Sequence, residues 1–544
     1  MEHPNLLTRP QQSQGAADQR VRVRCLLLCS ALVLGLAGCG GGGGGDSTVV
    51  TPPPPPPPPP PVSGPAWNEF AKDAQHSAQD TVATQALSRI QWQTPVDLAP
   101  QYDSSGELLI HYGSPVATSQ NTVLVPVKTT ATGVFGVNAV DGATGATIWS
   151  ASSDYILPVH DWTPSFNLAV TAGNRVYLPG SGGKLLFRDN ADSASGTVQS
   201  VVFFGSTAYA ANSALYDAAV FIDTPVTVDS QGNVFFGFIV TGSNPAGLSS
   251  GVARIGADGT GSWVAASAVS GNALYNKVAM NSAPALSPDN STLYVAVNSG
   301  SVFSGQQAGL LLALDSSTLA PKSAIPLLDP TTGTAAMVSD DSTASPTVGP
   351  DGDVFFGVLE SNFGAHNGRG WLLHFDAGLI HAKTPGSFGW DDTASIVPAS
   401  AVASYTGTSS YLLATKYNNY GGIGSGDGKN RMAVLDPGQP QADSISGIPV
   451  MHEVLTILGP TTDPDYAGGV TEWCVNTVAV DPLTHSILVN NEDGNLYRWD
   501  LSVNQLTQKV KISTGIGEAY TPTAIGPGGS VFAINNAILF SVGQ

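Results

Sequence analysis

A short strand pattern that recurs along residues 67–544 constrains the fold of this chain more than any other feature. Each copy has an apolar pair, two further residues, and then Asp or Gly. Six copies end in Asp, at 137–141, 185–189, 311–315, 372–376, 432–436 and 496–500, and two end in Gly, at 252–256 and 539–543. Their average spacing of about 57 residues is that of a four-stranded blade and exceeds the period of helical solenoid repeats.

A second recurrent feature precedes each copy by one hairpin and marks the start of a strand. A small residue or a proline begins that strand at 114–115, 163–164, 224–225, 283–284, 345–346, 394–395, 475–476 and 521–522. Alternating apolar residues, a Gly or Asn turn and a second apolar run follow, which predicts strand, turn and strand. Proline is tolerated at the first residue of a strand because no ladder donor need be lost there.

The two ends of the repeat region complement one another. Residues 520–543 hold the eighth copy but only enough sequence for about three strands, whereas residues 90–93 form a strand with no blade of its own. Pairing them would close the ring and leave no large open edge. We therefore predict an all-β, eight-bladed β-propeller, with seven blades as the alternative if the irregular region 391–451 is miscounted.

The N-terminus resembles a bacterial lipoprotein signal. Arg20, Arg22 and Arg24 precede a short apolar run over 25–36, which is typical of an export signal and not of a membrane span. The run ends in Leu-Ala-Gly before Cys39, which predicts a signal peptide over 1–38 and lipidation of Cys39. Because Gly40 stands where an Asp retains such proteins at the inner membrane, we expect a lipid-anchored protein of the bacterial cell envelope, at the outer membrane.

Residues 39–66 read as a linker between the lipidated Cys39 and a propeller domain over 67–544. Glycines fill residues 40–45 and prolines fill 52–61. Glycines give a flexible joint, and ten prolines form an extended rod of roughly 30 Å at about 3.1 Å per residue. The linker therefore holds the domain that begins at Trp67 away from the membrane surface.

Composition excludes nucleic acid as a partner. Only 11% of residues are charged, the formal net charge is −20 and the pI is about 4.6. Phosphate contacts need clustered Lys and Arg, whereas the 21 basic residues are spread along the chain. Once the signal is removed and Cys39 is lipidated, only Cys474 remains, so neither a disulfide framework nor a cysteine metal cluster is expected.

The first copy of the repeat continues into a longer motif, Ala-x-Asp-x-x-Thr-Gly-x-x-x-Trp. The motif is made by Ala139, Asp141, Thr144, Gly145 and Trp149, and the domain opens with Trp67, Phe70, Asp73, His76 and Ser77. Both resemble the pyrroloquinoline-quinone (PQQ) type of β-propeller, the quinoprotein alcohol dehydrogenase-like family. The motif implies that Asp141 accepts turn amides, that Gly145 permits the bend and that Trp149 packs between blades.

The dehydrogenases of that family bind a quinone and a calcium ion and use a catalytic Asp. They also carry a vicinal disulfide, which this chain cannot form because it lacks adjacent cysteines. The quinone has three carboxylates, and only Lys128, Lys416 and Arg431 are basic groups near the loops that would bind them. The resemblance therefore implies the fold, and these two departures from the family make PQQ a less favoured cofactor than a divalent metal such as calcium, with no cofactor assigned.

Polar side chains are expected to gather at the mouth of the central channel, where the innermost strand of each blade begins. Stepping four residues upstream of each predicted strand start gives His111, His160, Phe221, Met280, Ser342, Asp391, Glu472 and Glu518. The ionisable members come from blades six, seven, eight, one and two, which are neighbours in a closed ring. The predicted ligand site comprises His111, His160, Asp161, Asp391, Asp392, Glu472, Trp473, Glu518 and Tyr520.

Within that site, Glu472, Glu518 and Asp391 are candidate ligands of a divalent metal such as calcium, and the aromatic neighbours suit a ring or a sugar. The alternative is an ordinary polar, water-filled pore. Two loops, 416–420 and 360–362, form either a binding rim or common hairpin turns.

Three functions fit these features. The first is a non-catalytic propeller, tethered to the membrane by its lipid anchor, that binds a protein, glycan or small molecule through its channel face. It is similar in build to the propeller lipoprotein of the outer-membrane-protein assembly machinery. The second is a PQQ-dependent periplasmic dehydrogenase, and the third is a hydrolase or lyase acting on a polysaccharide. We favour the first, a binding or scaffold module, over an enzyme.

Overall fold

The recurrent strands form eight antiparallel sheets that follow one another along the chain. The computed structural model describes residues 62–102, 112–160, 164, 166–299, 308–340, 342, 344–515 and 522–544. Within these ranges, no helix is long and apolar enough to cross a membrane. The predicted all-β, eight-bladed propeller is confirmed, and the seven-bladed alternative is set aside.

The first strand, β1 (Arg89–Pro95), precedes the first blade. Blade one comprises β2 (Val116–Ala117), β3 (Thr122–Lys128), β4 (Phe135–Asp141) and β5 (Thr147–Ser152). Blade two comprises β6 (Ala169–Val170), β7 (Val176–Pro179), β8 (Lys184–Arg188) and β9 (Gln199–Val202), with a 3-10 turn at Ser181–Gly183. Helices α1 (Ser206–Ala211) and α2 (Ser213–Asp217) follow.

Blade three comprises β10 (Val220–Ile222), β11 (Thr227–Val228), β12 (Val234–Val240), β13 (Gly251–Ile255) and β14 (Gly261–Ala265). After helix α3 (Ala266–Val269), blade four comprises β15 (Tyr275–Val278), β16 (Ala285–Leu286), β17 (Thr292–Ser299), β18 (Gly309–Asp315) and β19 (Pro321–Pro326). Blade five has three strands, β20 (Thr347–Val348), β21 (Val354–Val358) and β22 (Trp371–Phe375).

Blade six comprises β23 (Ser395–Pro398), β24 (Tyr411–Lys416), β25 (Arg431–Ala442) and β26 (Pro449–Leu458), with a 3-10 turn at Ala399–Ala401. Blade seven comprises β27 (Ala479–Asp481), β28 (Ser486–Asn490), β29 (Asn495–Asp500) and β30 (Gln505–Lys511). Blade eight comprises β31 (Ala524–Ile525), β32 (Val531–Asn535) and β33 (Ile538–Gly543), and its fourth strand is β1.

Ring closure occurs where the sequence predicts it. Strand β1 pairs antiparallel with β33, from Arg89 opposite Gly543 to Pro95 opposite Ile538. The indole nitrogen of Trp92 donates to the Gly142 carbonyl of blade one at 2.9 Å, so the closing strand also contacts the neighbouring blade. The C-terminal blade therefore has no unpaired edge on this side.

Burial identifies the innermost strand of each blade. The short strands β2, β6, β11, β16 and β20 are completely buried, whereas the outer strands β5, β19 and β30 expose alternate side chains. First strands of neighbouring blades touch one another, as β6 touches β11 and β16 touches β20. The apolar core lies in layers between facing blades, as in other propellers.

The interblade motif has the predicted geometry. Asp141 Oδ1 accepts the amides of Ala143 at 3.1 Å and Thr144 at 2.8 Å. Gly145 has a φ of +72°, and a Cβ there would lie 2.7 Å from the Trp92 ring. The indole nitrogen of Trp149 donates to the Ala191 carbonyl of blade two at 2.6 Å, which confirms its predicted place between blades.

Blade five is the irregular part of the ring. Residues 382–386 occupy the place of its fourth strand through isolated bridges to Leu372 and Phe375 of β22, and a hairpin from blade six packs against them. Strands β25 and β26 are unusually long, with 12 and 10 residues. The Met451 amide donates to the Pro385 carbonyl, and Val450 is buried in the apolar layer of blade five. The region 391–451 is therefore irregular because one hairpin serves two blades.

Residues 67–80, here called the N-terminal strap, cross the end of the channel at which the innermost strands finish. Trp67 exchanges both backbone hydrogen bonds with Ala117, the last residue of β2. The carbonyls of the strap then accept, in chain order, the amides of Val170, Leu286, Val348, Ile396 and Val480, and the Glu69 carboxylate accepts that of Val228. The strap therefore contacts seven successive blades and leaves the opposite mouth as the end where the ligand site was predicted.

Candidate functional site

The structure describes five of the nine predicted site residues. These are His160, Asp391, Asp392, Glu472 and Trp473. His111, Asp161, Glu518 and Tyr520 lie outside the described residues, so the predicted metal set of Glu472, Glu518 and Asp391 cannot be assembled. Within the described part of the chain, no group of three or more His, Cys, Asp and Glu side chains could hold a metal ion.

The strongest cluster lies where blade six leaves its second strand. Lys416, the last residue of β24, is 3.8 Å from Asp391 Oδ2, and both side chains are 1% exposed. Asp392 Oδ2 accepts the Thr415 hydroxyl at 2.5 Å. Burial, offset mainly by the charge of Lys416, raises the pKa of Asp392 to about 7. The two adjacent acids therefore have different environments, since Asp391 is ion-paired and Asp392 is hydrogen-bonded.

Tyr420 connects this cluster to Glu472. Burial raises the pKa of Tyr420 well above its usual value, and the charges of Glu472 and, more weakly, Asp391 act in the same direction. The charges of Glu472 and Asp391, which were predicted to converge, therefore both raise the pKa of the Tyr420 phenol. Trp473 is completely buried beside them, with its amide 3.4 Å from Asn418 Oδ1 and its ring 5.9 Å from Tyr497.

His160 has a different place from the one its spacing suggested. It lies nine residues before β6, whereas Asp391 lies four residues before β23. Its Nδ1 contacts the Pro158 carbonyl at 2.6 Å. Four residues before the observed inner strands lie, among described residues, Tyr112, Asp223, Asn281, Asp391 and Val475.

Asp223 is the member of that observed ring that sequence reasoning missed. It is 3% exposed, and neither of its carboxylate oxygens has a hydrogen-bond partner among the described residues. Burial is the main cause that raises its pKa to about 8, while Lys277 lowers it and Asp340 raises it. Lys277 is itself 2.5 Å from Asp340. The Asp-Thr-Pro sequence at 223–225 was the available signal.

Arg369 is the second residue that was missed. It lies in the loop between β21 and β22, between Gly368 with a φ of +72° and Gly370 with a φ of +59°. Its guanidinium is 4.2 Å from the centre of the Tyr417 ring and is 4% exposed as a residue. Its Nε and Nη2 atoms have no hydrogen-bond partner in the described structure. The available signal was the Gly-Arg-Gly sequence next to the predicted rim loop 360–362.

The predicted rim loops are built as part of one surface. Glu360 accepts the amides of Gly364, Gly368 and Gly370 at 2.7–3.0 Å and so fixes its own loop. Asn367 in that loop donates to Asn419 at 2.9 Å, across to the loop that follows β24. The two loops therefore act both as ordered turns and as a continuous rim between blades five and six.

The basic groups expected near a quinone are mostly neutralised within the protein. Lys128 is 3.2 Å from Asp97, and Lys416 is 3.8 Å from Asp391. Cys474 is a single buried thiol. A quinone with three carboxylates would have to compete with Asp97 and Asp391 for these two lysines.

Comparison with known proteins finds relatives of the fold and does not identify the site. No protein-family profile matches the chain, and no curated protein matches its sequence. A europium-containing methanol dehydrogenase superposes with a TM-score of 0.51 at 10% identity, over 86% of this chain and 89% of that chain. A quinohemoprotein alcohol dehydrogenase from Comamonas testosteroni gives 0.50 at 12% identity, over 88% and 77% respectively.

BamB from Moraxella catarrhalis overlaps less well, with a TM-score of 0.39 at 12% identity over 79% of this chain and 93% of that chain. That overlap is too low to support a functional comparison. The predicted resemblance to quinoprotein alcohol dehydrogenase-like propellers is confirmed at the level of the fold, which is all that identities of 10–12% can show.

Proposed function

We propose that this chain is a lipid-anchored, extracytoplasmic β-propeller that binds a ligand at one mouth of its channel and acts as a binding or scaffold module. The observation that carries this proposal is the gathering of Asp391, Lys416, Tyr420 and Glu472 on one side of that mouth. The signal pattern before Cys39 and the proline-rich linker support the membrane tether.

Two features favour this mouth over the rest of the surface. The N-terminal strap occupies the other end of the channel, where it bonds to the inner strands of seven blades. Charged and aromatic side chains here are held by loops of blades five and six, and binding sites in rigid scaffolds are commonly built from such loops. A protein, a glycan or a small molecule fits this chemistry, whereas the acidic charge excludes nucleic acid.

A photo-crosslinking experiment in intact cells tests the proposal. A benzophenone amino acid replaces Tyr420 at the mouth or, as the control, Leu215 on helix α2, which is 53% exposed. We expect a discrete adduct from position 420 that is absent from position 215. Mass spectrometry of the adduct then identifies the ligand class.

The acids of the site provide the second arm of that experiment. The Asp391→Asn, Glu472→Gln double variant should reduce the adduct at least fivefold, because it removes two charges from the site. The matched control is Asp315→Asn, in a solvent-exposed turn where Asp315 accepts the Thr318 hydroxyl. An adduct of equal yield in the double variant would contradict the proposal.

Alcohol oxidation, for which the two structural relatives are named, has a separate test. We expect no dye reduction with ethanol or methanol after the purified chain is incubated with PQQ and calcium, because Lys128 and Lys416 are already ion-paired. Turnover that depends on added PQQ would contradict the proposed binding module and identify the chain as a dehydrogenase.

A further inference from the structure

We infer that a groove between blades two and three, at the strap end of the channel, binds the ring of a neutral sugar. The groove has a volume of about 260 Å³ and is lined mainly by the turns that follow the inner strands of the two blades, at 171–175 and 230–232. The site proposed above lies at the opposite mouth, so this inference goes beyond the proposed function and does not depend on it.

The gaps on either side of this groove are closed by side chains. Between blades one and two, Asp192 accepts the Thr118 hydroxyl at 2.5 Å. Between blades three and four, Asn290 donates to the Ser230 hydroxyl at 2.9 Å. Among the described residues, no hydrogen bond joins the turns at 171–175 and 229–233. The gap between blades two and three is therefore open to solvent, where its two neighbours are bridged.

Arg175 and Asp189 supply the charged groups of the groove, and the protein uses only part of their hydrogen-bonding capacity. Arg175 Nε donates to Asp189 Oδ1 at 2.6 Å, and the two side chains are 32% and 46% exposed. Arg175 Nη2 and Asp189 Oδ2 have no partner in the part of the chain that the structure describes, and neither atom is buried. The pair therefore presents an unused donor beside an unused acceptor.

The ion pair determines which kind of ligand fits. Asp189 disfavours an anion and Arg175 disfavours a cation, so the groove suits a neutral molecule. The hydrogen bond to Asp189 raises the pKa of Arg175, which keeps the guanidinium charged. A hydroxyl group can donate one hydrogen bond and accept two. Adjacent hydroxyls of a sugar ring can therefore accept from Nη2 and donate to Oδ2, and both bonds gain strength from the charges.

Further polar groups and the size of the groove agree with a sugar. Gln231 has an exposed side-chain amide, and the Ser230 hydroxyl, which accepts from Asn290, can still donate. Phe187 lies 4.4 Å from the guanidinium carbon of Arg175 and holds it against the wall of the groove. Because the volume is slightly below the roughly 300 Å³ at which ligand pockets commonly begin, we expect one ring to enter.

The turns that carry these groups are ordered without a ligand. Asp229 Oδ1 accepts the Gln231 amide at 2.9 Å, and the Thr171 hydroxyl accepts the Arg175 amide at 3.2 Å. The N-terminal strap fixes both blades at this face, because it accepts the amides of the last residues of β6 and β11. Little ordering therefore remains for the ligand to impose, which favours binding.

Saturation-transfer difference NMR on the full chain, in a detergent without a sugar headgroup, tests the inference. The probes are the methyl pyranosides of glucose, galactose, mannose and N-acetylglucosamine, and we expect saturable binding of at least one. Arg175→Gln should weaken that binding at least tenfold, because it removes the charged donor. Ala257→Trp should abolish it, because Ala257 lines the groove and is exposed, so the indole fills the space and leaves the polar groups unchanged.

Lys322→Gln is the matched control, because it removes the cation of another partly exposed ion pair, with Asp315 in blade four, and should bind like the wild type. Binding of none of the four glycosides by the wild type would overturn the inference. Binding that persists in both Arg175→Gln and Ala257→Trp would also overturn it, because the sugar would then lie elsewhere. Circular dichroism checks the folding of each variant, and Ala257→Trp carries the test if Arg175→Gln does not fold.

Discussion

At the scale of single residues, the mouth of the propeller contains buried carboxyl groups. Asp223 and Asp392 are 3% and 2% exposed, and burial raises the pKa of each, to about 8 and about 7. A buried carboxyl without an adequate partner is easier to keep neutral than charged. Such groups reduce the free energy of unfolding at neutral pH. Carboxyl groups with raised pKa values of this kind are common at functional sites.

Asp223→Asn is expected to stabilise the protein in a pH-dependent way. Because the pKa of Asp223 is raised in the folded state, wild-type stability falls as the pH rises from about 4 towards 8. The amide cannot ionise. The free energy of unfolding of the variant should therefore exceed that of the wild type by roughly 1–3 kcal/mol at pH 8 and should be nearly the same at pH 4. Urea unfolding at both pH values measures this.

Asp289→Asn is the control for that experiment. The pKa of Asp289 is lowered to about 2, chiefly because the carboxylate accepts the hydroxyl of Ser287, with further hydrogen bonds from Ser291. This variant should show no gain at pH 8. An equal stability of the Asp223→Asn variant and the wild type at pH 8 would contradict the burial argument.

The site was only partly predictable from the sequence at this scale. Asp391 and Glu472 were found because they precede predicted strands, and both bear on Tyr420. Asp223 was missed because the observed inner strand of blade three begins two residues beyond Pro225, at Thr227. Arg369 was missed because the hydrogen-bond acceptors available to a guanidinium depend on contacts between loops of two blades. No local sequence pattern encodes such contacts.

At the scale of elements, the N-terminal strap depends on a buried histidine. His76 is completely buried and has a φ of +57°, and its Nδ1 contacts the Pro346 carbonyl at 2.6 Å. Its ring packs edge-on against Phe70 at 5.0 Å. Burial lowers the pKa of His76 to about 4, so the strap is built for the neutral imidazole.

Acid should therefore weaken the strap before it unfolds the blades. A histidine whose pKa is lowered by folding contributes stability above its ordinary value of about 6.5, and that stability is lost as the pH falls towards 4. His76→Gln should be slightly less stable than the wild type at pH 7.5 and should lose less stability between pH 7 and pH 4.5. Hydrogen exchange at Val348 and Ile396, whose amides bond to the strap, reports the local change. Parallel pH profiles for the two proteins would show that His76 does not control the strap.

The elements themselves were predictable where the repeat is regular. Prolines directly precede the inner strands of blades one, four and five, and they stand two residues before those of blades three and eight, because proline is tolerated where a strand begins. Blade two departs from this rule, since β6 begins five residues after Pro164. Blade five departs from the four-strand rule because its fourth segment, residues 382–386, pairs with β22 only through isolated bridges, and the long hairpin of β25 and β26 packs against that segment.

At the scale of the whole molecule, one side chain links ring closure to the interblade motif. Trp92 on β1 is 8% exposed, donates to the Gly142 carbonyl, and packs against Phe532 at 5.7 Å. Trp92→Ala should reduce the free energy of unfolding by roughly 3–5 kcal/mol, the usual loss for a large buried aromatic side chain. Thermal and urea unfolding measure the loss.

Trp149→Ala separates closure from ordinary packing between blades. Trp149 is equally buried and occupies the corresponding place between blades one and two, but it lies outside the closing strand. Both variants should lose stability, whereas only Trp92→Ala should accelerate hydrogen exchange along β33, the partner of β1. Equal exchange along β33 in the two variants would show that closure does not depend on Trp92.

The predicted membrane anchor is a residue outside the described structure. Cys39 follows the predicted signal, and a lipidated N-terminus would anchor the propeller through a glycine and proline linker. Each buried methylene contributes about 0.8 kcal/mol to membrane binding, so several acyl chains give a stable anchor and their loss releases the protein.

Cys39→Ser should move the chain from the membrane fraction to a soluble or unprocessed form and abolish labelling with radioactive palmitate. Cys474→Ser, at the buried thiol of blade seven, should leave both readouts unchanged, because a thiol enclosed in a folded domain is not a substrate for the lipid transferase. Continued membrane binding and labelling of Cys39→Ser would assign the anchor to another residue and remove the linker from the account of how the mouth is presented.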